Sequence, residues 1–92
     1  MIKILKLVTG EEIIADAVRS DTDWILKSPA VIQLMSSRTD PNQIMIGLLP
    51  YAQYTQGHNI VVPLNFVIWS ENPVDELYNQ YNSMFGSGIQ LA

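Results

Sequence analysis

Apolar residues fill positions 2–8, where Ile2, Ile4, Leu5, Leu7 and Val8 are interrupted only by Lys3 and Lys6, and the chain then turns polar at Thr9-Gly10-Glu11-Glu12. In the next run Ile13, Ala15 and Ala17 alternate with Ile14, Asp16 and Val18, so one face is wholly apolar and the other mostly so. This pattern predicts a β-hairpin over residues 6–18, flanked by strands at 2–8 and 12–19, with Gly10 supplying the positive φ of a tight turn. A hairpin alone cannot cover two such faces, so further strands must close over it.

A polar turn, Ser20-Asp21-Thr22-Asp23, ends the second strand. Residues 24–35 read as one bent strand with Pro29 at a bulge or edge position, and such a bend suits a small barrel. After a polar loop, Ile44, Ile46 and Leu48 alternate with Met45, Gly47 and Leu49 in a fourth strand that is apolar on both faces. Residues 51–59 make a Gln-containing, aromatic loop around Gly57, and residues 60–69 a fifth strand with Pro63 near its start. A helix is predicted over 72–86, with Asn72 as its cap, Pro73 at its first position, Asp75 and Glu76 in its first turn and Gly86 at its end. Its apolar stripe, Val74, Leu77, Tyr78, Tyr81 and Phe85, docks on the strands. The expected architecture is all-β with a C-terminal helix in a single domain over 1–92. It comprises a small, strongly bent five-stranded barrel at 1–70, the helix at 72–86 and a tail at 87–92. Ile89 and Leu91 in that tail suit packing on the barrel or on a neighbour.

Composition adds an oligomeric expectation. Of the 92 residues 48% are hydrophobic, whereas a domain of this size buries only roughly 60–65% of its unfolded surface. Positions 41–70 contain no Asp, Glu, Lys or Arg, and depletion of charge marks buried interface. Asn, Gln, Pro, Gly and His break every apolar run there well short of the about 18 residues that a membrane span needs, so no membrane partner is expected. The absence of cysteine excludes disulfides, thiolate zinc sites and a cysteine nucleophile. An N-terminal run without a cleavage site points to a cytoplasmic address. Five basic against nine acidic residues, net charge −4, is the wrong sign for a protein whose main work is gripping phosphates.

Candidate chemistry is sparse. Asp21-Thr22-Asp23 has turn character and no third metal ligand. Glu11 and Glu12 lie in a solvated turn with nothing to perturb them. His58, the only histidine, has no serine in a nucleophile-elbow context, and the Gly86-Ser87-Gly88 stretch is too short for a phosphate loop. No catalytic residue, metal or cofactor is assigned, and an enzyme is not expected. Trp24, Tyr51, Tyr54 and Trp69 carry π-faces on which single-stranded bases stack for about 1–3 kcal/mol each. Trp69 reads better as core or seam, whereas Trp24 adjoins the polar turn.

Gly10, Ile13, Ala15 and Asp21 have the spacing of a first motif, and Val62-Pro63-Leu64-Asn65 before Phe66-Val67-Ile68 stands where a second motif would follow. With the order of strands, these stretches resemble the Sm-like family, including its small members from marine bacteriophages. The Asn-Pro-Val-Asp-Glu-Leu-Tyr start and Met-Phe-Gly-Ser-Gly-Ile end of the helical segment are also similar to the phage type. The chain departs from the pattern at Asp23 and Ile25, where the family has an aromatic residue and Asn, and at Pro63-Leu64, where it has Arg-Gly. The resemblance implies an SH3-type barrel and a cyclic homo-oligomer joined through the fourth and fifth strands, at Ile44, Ile46, Leu48, Ile60, Val62, Phe66 and Ile68. It also implies single-stranded RNA at Asp21, Trp24 and Asn65, no cofactor, and the cytoplasm of a bacterial host for a phage protein. The function expected is a non-catalytic ring that binds or regulates RNA. The alternative is a ring-forming structural or protein-interaction module that has lost RNA binding, with the 51–59 loop as its contact surface.

Overall fold

The computed structural model describes residues 1–36, 39, 42–52 and 54–86. Strands β1 (Ile2–Leu7) and β2 (Glu12–Arg19) form the expected hairpin, paired antiparallel from Ile2↔Asp16 to Lys6↔Glu12. Gly10, at φ 106°, closes its turn and donates its N–H to the Leu7 carbonyl oxygen at 2.9 Å. A side chain at that φ is strained, and glycine has none.

Strand β3 (Asp23–Ser36) bends at Ser28-Pro29 and serves two partners. Its first half pairs with β5 (Asn59–Pro63) and its second half with β4 (Ile44–Pro50). Against β2 the register slips: Ile14 stands opposite Ala30 and Asp16 opposite Lys27, which leaves Ser28 and Pro29 facing Ala15. The bulge read from Pro29 is therefore present, with Ser28 in the left-handed region at φ 48°.

The expected fifth strand is two strands. A 3-10 turn at Leu64–Phe66 separates β5 from β6 (Val67–Glu71). Strand β3 begins at Asp23, opposite Pro63, so its ladder with β5 ends there after one flanking hydrogen bond, from the Leu64 N–H to the Thr22 carbonyl oxygen at 3.2 Å. The Val8 N–H then donates to the Phe66 carbonyl oxygen at 3.0 Å, which hands the chain over to β1. The described residues form six strands, in the order β4-β3-β2-β1-β6 with β5 on β3. Among the described residues the sheet is not closed, so the five-stranded barrel is corrected to an open, bent, antiparallel six-stranded sheet.

A buried cluster lies on each face of the sheet's centre. On one, Leu5, Leu7, Ile13, Ala15, Ala17, Trp24 and Leu26 form a buried cluster, flanked by Ile60, Val62 and Phe66. On the other, Ile14, Ala30 and Leu48 meet Leu77 and Tyr81 of the C-terminal helix, with Phe85 packed beside them.

That helix is shorter than its sequence pattern. Helix α1 (Asp75–Tyr81) follows Val74, which lacks a side-chain cap, and runs into a π-helical turn at Asn82–Gly86. Asn72 does not cap it; its side-chain oxygen accepts from Lys3 Nζ at 2.9 Å, and Pro73 lies outside the helix. Two turns can seat only one ridge, so Leu77 and Tyr81 are buried while Val74 and Tyr78 face outward. The tail with Ile89 and Leu91 lies outside the described residues, as does Arg38.

Candidate functional site

The β2–β3 turn is built from its own side chains. Ser20 Oγ accepts from the Asp23 N–H at 3.0 Å, and Thr22 Oγ1 donates to Asp23 Oδ2 at 2.7 Å. Through the Leu64–Thr22 hydrogen bond this turn meets the 3-10 turn, so exposed Asp21 and exposed Asn65 share one end of the molecule. Trp24 is different. It is 8% exposed, its ring in the core cluster and the Arg19 guanidinium 6.0 Å from the ring centroid, so it presents only a margin of its ring to the cleft it borders, too little to stack a base. Trp69 is the more accessible indole and, with Arg19, Leu64 and Ser70, borders a cleft of ≈ 270 Å³ beside the two turns.

Other polar candidates resolve into local structure. Glu12 pairs with Lys6 at 3.7 Å and Glu11 accepts a hydrogen bond from Thr9, which places both glutamates in the hairpin's own network. His58 is exposed, at φ 55°, on the rim of a ≈ 410 Å³ cleft lined also by Ser28, Pro29, Pro50, Ala52 and Phe85. Among the described residues no three His, Cys, Asp or Glu side chains come together to hold a metal.

One buried polar group does bear on the fold. The Tyr81 hydroxyl, on a side chain 2% exposed, accepts from the Asp16 N–H at 3.2 Å and has the carbonyl oxygens of Lys27, at 3.0 Å, and Ser28, at 2.9 Å, as acceptors. Burial, chiefly, pushes its pKa up to about 12. Helical spacing identifies Tyr81 as a core residue, but nothing local in the sequence reveals the partners of its hydroxyl.

The two ends of the sheet present exposed apolar residues. Strand β4 is one end and β6 the other. Tyr51 donates to the Pro29 carbonyl oxygen at 2.8 Å while Ala30 stands opposite Pro50, which makes Ala30–Pro50 a non-hydrogen-bonded pair. The register is unbroken from there to Ser36↔Ile44, so alternation turns the main-chain groups of Ile44, Ile46, Leu48 and Pro50 away from β3, toward the free edge. Ile44 is 67% exposed and Ile46 is also exposed, joined by Leu34, Met35, Met45 and Leu49; Leu48, at 5%, lies under α1.

In the other half of the predicted seam, Ile68 is 60% exposed, but Ile60, Val62 and Phe66 pack inward. Val61, out of phase with Ile60 and Val62, faces outward with Asn59 and Pro63, and its alternation with Ile60 and Val62 is the signal that would have found it. No protein-family model matches the chain, and comparison with curated proteins finds no match. Among the described residues no helix is long and apolar enough to cross a membrane.

Proposed function

We propose that the chain is a non-catalytic, Sm-like subunit that joins copies of itself edge to edge into a cyclic homo-oligomer and works as a structural or protein-interaction module. The observation that carries this reading is the pair of edges, β4 and β6, at opposite ends of one open sheet, which have no further strand beside them among the described residues, with Ile44 and Ile46 exposed on one and Ile68 and Trp69 on the other. Bare edges of this kind pair with strands. Joining unlike edges repeats head to tail and closes into a ring when the rotation permits. Each exposed isoleucine buried at such a seam contributes about 1.5–3 kcal/mol. Native mass spectrometry at micromolar concentration tests the reading, which requires one defined oligomer. A cytoplasmic place, in a bacterial host if the chain is phage-encoded, accompanies it, with the 51–59 loop as a contact surface for other proteins.

A second reading takes single-stranded RNA as ligand. It is favoured by the meeting of the β2–β3 turn with the 3-10 turn, since an assembled ring would repeat Asp21 and Asn65 around its axis. The burial of Trp24 and the carboxylates of Asp21 and Asp23 weigh against it. Uridine- or adenine-rich RNA separates the two: binding that weakens with salt supports the RNA reading, and no binding at low salt removes it.

A further inference from the structure

The free edge of β4 is already occupied at one point. Gln80, on α1, donates its side-chain amide to the Ile46 carbonyl oxygen at 3.0 Å. Ile46 sits between Ile44 and Leu48 in the set of residues whose main-chain groups face outward, so this carbonyl is one that an added strand would use. Gln80, Glu76 and Val74 also border, with Ile44, Ile46 and Leu77, a cleft of ≈ 290 Å³ alongside the edge. The helix therefore does more than cover a face of the sheet; it reaches round to the hydrogen-bonding rim.

We infer that Gln80 is a cap on the β4 edge, a side-chain substitute for a neighbouring strand that a strand from a second copy of this chain must displace in order to pair there. The inference rests on the edge-pairing reading above. A second copy is the occupant because the edge strand is apolar and positions 41–70 contain no Asp, Glu, Lys or Arg. The one charged group on the adjoining cleft, the Glu76 carboxylate, repels nucleic acid and acidic peptides, whereas Ile68 and Trp69 at the far end of the same sheet match the exposed isoleucines of β4. Capping keeps the edge from pairing indiscriminately and makes assembly a competition between Gln80 and the incoming main chain.

Removing one competing hydrogen bond of ordinary strength tightens each seam by about three- to tenfold. The test compares the parent chain with Gln80→Ala and Gln80→Met by analytical ultracentrifugation over a dilution series, with circular dichroism to establish that each is folded. Methionine keeps the length of the side chain and has no donor. Both variants are expected to dissociate at concentrations about three- to tenfold lower than the parent. Equal midpoints for all three overturn the cap and leave edge pairing standing. A shift in Gln80→Ala that Gln80→Met does not share also overturns the cap, because it traces the effect to side-chain bulk. If all three are monomeric at the highest concentration, edge pairing and the cap fall together.

Discussion

The phenolic oxygen of Tyr81 lies 2.9 Å from the main-chain carbonyl oxygen of Ser28, at the bulge where β2 and β3 lose register. Ser28 and Pro29 face Ala15 there, and a hydroxyl from the C-terminal helix bonds the Asp16 N–H and the carbonyl oxygens of Lys27 and Ser28 around this irregularity. The same contact that satisfies the bend anchors the helix, so the shape of β3 and the docking of α1 are one energetic unit.

Tyr81→Phe keeps the ring and removes this bridge. Leaving buried main-chain groups unpaired costs about 1–3 kcal/mol, and urea unfolding at neutral pH should register a loss of that size. An unchanged midpoint would mean that water serves the bulge equally well.

The alkaline limb carries a second signature of the same group. Burial first, and the nearby Asp16 carboxylate second among the raising influences, lift the Tyr81 pKa from 10.0 to about 12, while the hydrogen bond from the Asp16 N–H lowers it in part. Between these values the unfolded chain has released the proton and the folded chain still holds it, so stability falls as pH rises, by about 1.4 kcal/mol per pH unit. The advantage of the parent over Tyr81→Phe is complete below pH 10 and should shrink at that rate above it. Parallel alkaline profiles for the two proteins would dissociate this ionisation from folding.

Ser28 holds φ 48° without being glycine. Left-handed geometry costs an ordinary residue roughly 1–2 kcal/mol, and glycine's extra chain entropy offsets part of any relief. Ser28→Gly is therefore expected to stabilise by up to about 1 kcal/mol, whereas β-branched Ser28→Val should destabilise; thermal unfolding of the pair reads the difference.

What was legible in the sequence follows from residue type. Gly10 and Pro29 announce a turn and a bulge because their backbones permit little else, and the structure has both. The break in the last strand is hidden: Leu64-Asn65-Phe66 alternates like a strand, and what ends the ladder is that the partner strand β3, distant in sequence, begins only at Asp23, opposite Pro63. Trp24 adjoins a polar turn, which leaves base stacking and core packing both open from sequence, and its phase with Leu26 sends it to the core. In the helix, the stripe from Val74 to Phe85 is longer than the two turns that form, so its ends are not buried alike. Gln80 offers no pattern at all, since its partner is the edge of a strand far along the chain.

Neighbouring positions on β4 should separate assembly from folding. Ile46→Lys places a charge on an exposed side chain, with an effect on folding within about 0.5 kcal/mol, yet an unpaired charge buried at a seam costs several kcal/mol and should abolish assembly. Leu48→Ala removes a side chain 5% exposed beneath α1, and should cost about 2–5 kcal/mol of folding stability. Loss of fold in both variants, or of neither fold nor assembly in Ile46→Lys, would remove β4 from the seam.

The central claim is that copies of this chain pair through the unlike edges of one open sheet. Native mass spectrometry of the parent chain at micromolar concentration tests it most directly. The account predicts a single closed oligomer that Ile46→Lys converts to a folded monomer. A folded parent that is monomeric throughout that range would contradict it.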